Sequence, residues 1–278
     1  MSPRVRTLAL VLLPLLAGWG RCGGGPVEEP VPKTYELAWS DEFDGAAGEL
    51  PDPSRWTFDV GGGGWGNAQL EYDTDRAENA ALDGEGHLLI TARRESYQGN
   101  AYTSARLKTQ GRFSQQYGRF EARVQLPSGQ GLWPAFWLLG ANQPQVGWPA
   151  CGEIDILEYK GQFPQVVHGS LHGPGYSGGE AITGSWSLVG SPRLDADFHV
   201  YAVEWDAQRI RWLVDGREYQ TVEKGDQPGG AAWAYDHPFF VILNVAVGGY
   251  FVGAPAGATA FPTSMVVDYV RVYREVQP

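Results

Sequence analysis

Short segments in which apolar and polar residues alternate constrain the fold of this chain more than any other feature. Examples are HLLITARRE, YGRFEARVQL, FHVYAVEWD, RIRWLV and MVVDYVRVY. Runs of this period, rich in β-branched and aromatic residues and bounded by Gly, Pro, Asp and Asn, are typical of strands. The 278 residues include 38 Gly and 19 Pro, and no stretch keeps helical periodicity over three turns. The pattern predicts an all-β fold, a jelly-roll sandwich of two antiparallel sheets.

One connection between strands is predicted in detail. The stretch RIRWLVDGREYQTV places Asp215-Gly216 between two alternating runs. Asp-Gly is a preferred pair for the two-residue turn of a hairpin, because both positions need positive φ. We therefore expect a β-hairpin with its turn at Asp215-Gly216.

The N-terminal segment has the features of a targeting sequence. Arg4 and Arg6 precede an apolar run from Leu8 to Ala17, which is too short to span a bilayer. Cys22, followed by GGG and PVEEPVP, predicts a possible lipid anchor on a flexible linker. The predicted organisation is a signal peptide or lipoprotein leader over 1–25, a linker over 26–34 and one folded domain over 35–276. We expect an exported protein without a transmembrane span, either extracellular or at the cell surface.

Charge and cysteine content limit the partners and the chemistry. The formal net charge is −11, and nucleic-acid binding needs a basic surface, so no nucleic-acid partner is expected. An acidic protein of this kind suits an uncharged substrate, and we expect a monomer. Only Cys22 and Cys151 are present. If Cys22 is removed or acylated, Cys151 has no disulfide partner and is predicted to be a small buried apolar residue.

The stretch GEIDILEY breaks the alternation. Glu153 and Asp155 share one face of a strand, and two isoleucines share the other. With strict alternation Leu157 would then face solvent and Glu158 would enter the core, where a lone carboxylate is costly. A β-bulge adds one residue and resets the alternation. The sequence therefore predicts a bulge that places Glu153, Asp155 and Glu158 on one face.

Three acids on one face are compatible with several functions. Four strand steps of about 3.3 Å put the two glutamate backbones about 13 Å apart. Side chains that lean inward would approach the carboxyl separation of about 5–5.5 Å found in retaining glycosidases, whereas inverting enzymes use about 6.5–9.5 Å. The spacing of the acids alone therefore allows both a retaining and an inverting glycosidase. It also leaves open a solvated polar face and a calcium or magnesium site.

Aromatic residues flank the acids. Trp133 and Trp137 stand at odd positions of GLWPAFWLLG, and Trp148 directly precedes the acidic stretch. Flat apolar rings beside a few polar groups suit the C–H face of a sugar. Tryptophan is also a common core residue, so one of the first two is expected to serve packing alone.

These motifs resemble a known family. WPACGEIDILEYKG and GLWPAFWLLG are similar to the active-site signature of family-16 glycoside hydrolases, on the branch of bacterial laminarinases (endo-β-1,3-glucanases). Further similar stretches are WSDEFDG, ARLKTQGRFSQQYGRFEARVQLPSGQG, VHGSLHGPGYSGG and VDYVRVY, from about Ala38 to Tyr273. The resemblance implies a concanavalin-like β-jelly-roll with a substrate cleft, so that the domain over 35–276 would be a glycoside hydrolase catalytic domain.

The resemblance also implies roles for the acids. It implies that Glu153 is the nucleophile, that Glu158 is the general acid and then the general base, and that Asp155 tunes both. The reaction would be a double displacement that retains anomeric configuration. Relatives that cut mixed-linked β-1,3-1,4-glucan carry a motif one residue shorter, so Leu157 favours the laminarinase type and a β-1,3-glucan partner such as laminarin.

Further positions match family sites. No cofactor is implied for catalysis, but a structural calcium is. The stretch GGGGWGNAQLEY departs from the usual WGNNELQY at Ala68, Gln69 and Glu71. The residues implied to contact the sugar are Asn67, Arg106, Trp133, Trp137 and His172, and those implied to hold calcium are Glu42, the carbonyl of Gly86 and Asp268.

Two rival functions remain. One is a non-catalytic β-glucan-binding protein on the same scaffold, in which one or both catalytic glutamates would be expected to be missing. The other is a hydrolase of the same family that acts on another polysaccharide, such as mixed-linked glucan, agar or carrageenan. The presence of all three acids disfavours the first rival, and the tryptophan-rich flanks with no strongly basic cleft disfavour the second.

Overall fold

We describe the fold from a computed structural model, which describes residues 33–188, 190 and 192–276. The predicted leader over 1–25, the lipid-anchor position Cys22 and most of the predicted linker over 26–34 lie outside the described residues. These assignments therefore stay predictions.

The alternating segments form strands, as the sequence analysis expects. The strands are β1 (Thr34–Asp41), β2 (Thr57–Asp59), β3 (Glu71–Asp73), β4 (Ala80–Leu82), β5 (Leu88–Tyr97), β6 (Asn100–Ser104), β7 (Arg106–Lys108), β8 (Gly118–Gln125), β9 (Leu132–Gly140), β10 (Glu153–Tyr159), β11 (Val166–His172), β12 (Ile182–Ser187), β13 (His199–Trp205), β14 (Arg209–Val214), β15 (Arg217–Glu223), β16 (Phe239–Val247) and β17 (Thr263–Val276). One α-helical turn, α1 (Gln143–Val146), and three 3₁₀ turns (Gly64–Gly66, Gly178–Glu180 and Pro228–Gly230) complete the regular structure of the described part.

The strands form two sheets. The front sheet has the order β12-β11-β10-β9-β16-β7-β2, and the back sheet has the order β15-β14-β13-β8-β17-β5-β6-β3, with β1 on β17 and β4 on β5. Neighbouring strands are antiparallel except for the parallel pair β3 and β6. The expectation of an all-β jelly-roll sandwich is confirmed. The strand that carries the acids, β10, lies inside the front sheet between β9 and β11.

The apolar positions of both sheets meet in one core. From the front sheet, Leu138, Ile154 and Val241 are fully buried, as are Phe120 and Val203 from the back sheet. These residues belong to one contiguous cluster. Burial of apolar side chains from facing sheets is the main source of stability of such a sandwich.

The predicted hairpin is present. β14 and β15 pair around Asp215 and Gly216, which have φ of 49° and 74°. Positive φ at both central positions matches a type I′ turn, which follows the twist of the strands.

Among the described residues, no helix has both the length and the apolar character that crossing a bilayer requires.

Candidate active site

The predicted bulge lies in β10. On β9, the partners of Glu153, Asp155 and Glu158 are residues 139, 137 and 135, and on β11 they are residues 172, 170 and 168. The step from Asp155 to Glu158 thus takes three residues on β10 and two on each neighbour. This extra residue is a β-bulge. It places the three acids, hereafter the acid row, on one face of the front sheet.

The opposite face of the bulged segment faces the core. Ile154, Ile156 and Leu157 are at most 1% exposed. The indole of Trp212 in the back sheet donates a 2.8 Å hydrogen bond to the carbonyl oxygen of Asp155, next to the bulge. The bulge is therefore held by a contact between the two sheets as well as by its own strand neighbours.

A glycine on the neighbouring strand makes this contact possible. A Cβ at Gly169 would lie 2.4 Å from Cδ1 of Trp212 and 2.5 Å from the hydroxyl oxygen of Tyr219. These separations are too short for non-bonded atoms, so a larger side chain on β11 would displace the indole that supports the bulge.

Burial and mutual repulsion shift the pKa values of the acid row upward. Burial raises the pKa of Glu153 to about 8, and the charge of Asp155 adds to this rise. Burial and the charge of Asp155 likewise raise the pKa of Glu158 to about 8, against smaller opposing effects of His172, Ser170 and Trp133. Burial raises the pKa of Asp155 to about 8 as well. Crowded carboxyl groups of this kind keep a proton near neutral pH, as a general acid requires.

His172 lies beside the Glu153 end of the acid row. Its Nε2 atom is 3.0 Å from Oδ2 of Asp155 and 3.7 Å from Oε1 of Glu153. Its Nδ1 atom accepts a 3.1 Å hydrogen bond from the backbone N–H of Gly178. Because Nδ1 accepts, a neutral imidazole carries its proton on Nε2, the nitrogen nearer the two carboxyl groups.

The same hydrogen bond bears on metal binding. Metal ions in proteins are commonly bound by His, Cys, Asp and Glu. In the described part of the chain, one group of three such residues has its potential ligand atoms within 4.8 Å of one another, namely Glu153, Asp155 and His172. A metal-bound imidazole normally donates from its second nitrogen, whereas Gly178 requires Nδ1 to accept. The arrangement favours an N–H donor at Nε2 over a metal ligand.

Two residues of the site were not predicted. The Nε1 atom of Trp148 donates a 2.9 Å hydrogen bond to Oε2 of Glu153. The hydroxyl of Ser170 donates a 3.2 Å hydrogen bond to Oε2 of Glu158. The sequence signal for Trp148 was its place directly before the acidic stretch, and Ser170 could be found only by knowing that β11 pairs with β10.

Beside the acid row, an arginine lies between two indoles. The guanidinium carbon of Arg106 lies 4.8 Å from the ring centroid of Trp65 and 4.7 Å from that of Trp137. Nε of Arg106 lies 3.2 Å from Oδ2 of Asp59. The Nε1 atom of Trp137 donates to Oδ1 of Asn244 at 2.8 Å. Of the predicted sugar contacts, Arg106 and Trp137 are thus brought together beside the acid row.

Besides His172, the remaining predicted contacts are Trp133, on β9, and Asn67, in the loop before β3. The ring of Trp133 packs against Phe251 with centroids 4.8 Å apart. The backbone carbonyl of Asn67 accepts a 2.9 Å hydrogen bond from the amide of Tyr250, so the loop before β3 and the loop after β16 are joined. Tyr250 itself is 82% exposed.

The predicted calcium ligands lie elsewhere and are engaged by arginines. Glu42 forms a bidentate ion pair with Arg271, with distances of 3.0 and 2.7 Å. Asp268 pairs with Arg123. The carbonyl of Gly86 as a third ligand stays a prediction. A guanidinium group faces each of the two carboxylates, so a calcium ion would have to displace both arginines.

Cys151 is buried, as predicted. It is 0% exposed, and burial raises the pKa of its thiol to about 11. A thiol of this kind is not a nucleophile at neutral pH.

Comparison with known proteins agrees with this geometry. The chain is 49% identical over 253 residues to the "Beta-glucanase" of Rhodothermus marinus, covering 87% of this chain and 86% of that protein. The laminarinase catalytic domain of Thermotoga maritima MSB8 superposes with a TM-score of 0.82 at 47% identity, over 87% of this chain and 99% of that one. The endo-β-1,3-glucanase of Pyrococcus furiosus superposes with a TM-score of 0.83 at 46% identity, over 88% and 97%.

The family itself is identified by its sequence profile. The profile described as "Glycosyl hydrolases family 16" matches residues 66–271, which include the acid row and both neighbouring strands. The resemblance found in the motifs is confirmed, and this chain belongs to glycosyl hydrolase family 16.

Proposed function

We propose that the protein is an exported, retaining endo-glycosidase that hydrolyses β-1,3-glucosidic bonds in laminarin-type β-glucans. The observation that carries the proposal is the acid row, in which a bulge aligns Glu153, Asp155 and Glu158 on one face beside Trp137 and Arg106. The names of the similar glucanases support the choice of linkage.

The reaction follows from the two glutamates. The ionised Glu153 attacks the anomeric carbon, the glycosidic C–O bond breaks, and Glu158 gives its proton to the leaving oxygen. Water then attacks the glycosyl ester, Glu158 takes its proton, and Glu153 is released. Two displacements at one carbon retain its configuration. Asp155, between them, raises the pKa of both glutamates through its charge.

Separate substitutions of the two glutamates test this assignment. Glu153→Gln and Glu158→Gln should each lose at least about a thousandfold in kcat on laminarin with the fold retained, because each removes a group that reacts. Azide should restore turnover of an activated substrate by Glu153→Gln as a glycosyl azide. Glu85→Gln, an exposed acid in a turn, is the matched control. Normal turnover by Glu153→Gln would make its assignment wrong.

Product analysis separates the rival functions. We expect reducing ends from laminarin, with the β-anomer formed first in proton NMR, and much less product from lichenan, agarose or carrageenan. Preferential release from a galactan would favour the rival hydrolase. Binding of laminarin without new reducing ends would favour the glucan-binding protein.

Export and anchoring are also part of the proposal. The basic and apolar N-terminal segment supports export, and Cys22 supports a lipid anchor at the cell surface. Wild-type protein should fractionate with membranes and Cys22→Ser should be released in soluble form. If the wild type and Cys22→Ser were both found in the soluble fraction, the lipid anchor would be wrong and the protein would be exported without one. A single species somewhat below the 30.4 kDa mass of the full chain, as expected after removal of the leader, would support a monomer in light scattering.

Calcium binding stays a prediction. To bind Glu42 and Asp268, calcium would have to displace Arg271 and Arg123 from the two carboxylates. If it does so, calcium should raise the melting temperature and a chelator should lower it. An unchanged melting temperature in both conditions would make the calcium site wrong for this chain.

A further inference from the structure

The nucleophile has two oxygens in different surroundings. Oε2 of Glu153 accepts the indole hydrogen bond of Trp148 at 2.9 Å. Oε1 is instead 3.7 Å from Nε2 of His172, beyond hydrogen-bond distance. Oε2 therefore has a neutral N–H donor from Trp148, whereas no described N–H group donates to Oε1 within hydrogen-bond distance. The carboxyl group of Asp155 is also close enough to share a hydrogen bond with Glu153 when one of the two is protonated.

We propose that Trp148 is a positioning residue that fixes Oε2 of Glu153 and leaves Oε1 as the oxygen that attacks the anomeric carbon. The inference rests on the proposed role of Glu153 as nucleophile. In the first displacement a bond forms between Oε1 and the anomeric carbon as the glycosidic bond breaks. The bonding electrons go to the leaving oxygen, which receives the proton of Glu158. Oε2 becomes the ester carbonyl and keeps its indole donor.

An indole suits this position because it is neutral. Trp148 donates to the carboxylate and to the ester carbonyl alike, and it does not titrate. A charged donor would hold the carboxylate more tightly and oppose its attack. Trp148 is 48% exposed, and its ring centroid lies 6.0 Å from that of His172. A bound sugar would cover the hydrogen bond and exclude water, which strengthens it.

Replacement of the indole by a phenyl ring separates the hydrogen bond from ring contacts. Trp148→Phe keeps an aromatic face but removes the N–H. Because Glu153 then loses the contact that holds its carboxyl group in the attack geometry, we expect kcat to fall about tenfold to hundredfold with KM changed less than about threefold. Loss of the donor also destabilises the ionised form, so the acidic limb of the pH profile should move to higher pH. The charged and titratable groups near Glu153, which the substitution leaves unchanged, are Asp155, Glu158, His172, Arg106, Cys151 and Tyr235.

The control is a tryptophan on the same sheet. Trp186 lies on β12 opposite the buried Val167 and faces the core, so Trp186→Phe should leave the acidic limb in place. A loss confined to KM in Trp148→Phe, with kcat and the acidic limb unchanged, would make Trp148 a sugar contact only and overturn the proposal. If Trp148→Phe changed only KM while Glu153→Gln was inactive, the inference about Trp148 would fail but the proposed function would stand.

A trapped intermediate tests the oxygen assignment directly. A 2-fluoro β-1,3-glucoside with a good leaving group should form a stable glycosyl ester on the wild-type enzyme, and its crystal structure should show the ester through Oε1 with Trp148 still bonded to the carbonyl. An ester through the oxygen that faces Trp148 would overturn the inference. If the wild-type enzyme forms no ester and no reducing ends, the proposed function fails instead.

Discussion

At the scale of single residues, the three carboxyl groups of the acid row differ in the groups that contact them. Glu153 is contacted by the N–H of Trp148, Glu158 by the hydroxyl of Ser170, and Asp155 lies between them near Nε2 of His172. Because the three carboxyl groups are buried together, ionisation of one opposes ionisation of the others, so that one glutamate can be ionised while the other keeps its proton.

Neutralising the central acid should change the pH dependence of activity. The charge of Asp155 raises the pKa of Glu153 and of Glu158, so Asp155→Asn should lower both. Glu158 would then lose its proton at lower pH, and the basic limb of the profile should move to lower pH. The profile of kcat/KM on laminarin measures this. A basic limb that moves to higher pH, or not at all, would contradict the assigned role of Asp155.

At the scale of secondary-structure elements, the bulge in β10 is supported from the other sheet. Trp212 bonds the carbonyl oxygen of Asp155, and Gly169 on β11 leaves the space that the indole needs. An element that looks local in the sequence is therefore stabilised by a strand of the back sheet and by a glycine on its neighbour.

Filling that space should disturb both stability and activity. Gly169→Ala should lower the free energy of unfolding by about 1–3 kcal/mol, because the added methyl overpacks the indole. It should also lower kcat by at least tenfold, because the bulge sets the direction of Glu158. Gly257→Ala, where a Cβ meets nothing within 4 Å, is the control for urea unfolding and turnover. If Gly169→Ala and Gly257→Ala had the same free energy of unfolding and the same kcat, the support of the bulge by Trp212 would be contradicted.

The alternation along each strand allowed the all-β class, the bulge and the Asp215-Gly216 turn to be predicted, because these depend on residues close in the chain. The family resemblance supplied the roles of Glu153 and Glu158. The contacts of Ser170 and of Trp148, and the placement of Arg106 between two indoles, could not be predicted in this way. They depend on which strands become neighbours and on how loops fold, which residues distant in sequence decide.

At the scale of the whole molecule, the fold buries carboxyl groups beyond those of the acid row. Glu71 is 1% exposed, and burial raises its pKa to about 7 from 4.5. Asp73 nearby is also buried with a raised pKa. Oε2 of Glu71 accepts a 2.7 Å hydrogen bond from the amide of Val247. Glu71 is also one of the positions at which the chain departs from the usual family motif.

These buried acids should make the folded state less stable as the pH rises. Their pKa values are higher in the folded than in the unfolded chain, so between pH 4.5 and about 7 the folded state binds more protons. The stability that Glu71 contributes is complete below pH 4.5 and is lost as the pH rises through about 7. The free energy of unfolding should therefore fall from pH 5 to pH 8, and Glu71 should account for on the order of 2–3 kcal/mol of the fall.

The variant Glu71→Gln isolates this contribution. Its amide oxygen can still accept from Val247, but the side chain never ionises. Urea unfolding at pH 5 and pH 8 should show a smaller decrease for Glu71→Gln than for the wild type, with Glu85→Gln like the wild type. The same decrease in Glu71→Gln and the wild type would show that Glu71 does not titrate as described.

The hydrogen bond from the amide of Tyr250 to the carbonyl of Asn67 has a consequence for protein engineering. It couples two surface segments that are 183 positions apart in the chain. Grafting either segment alone from a relative would leave its counterpart without the matching backbone. Attempts to alter which glucans the enzyme accepts should therefore exchange both segments together, as a single transplanted unit.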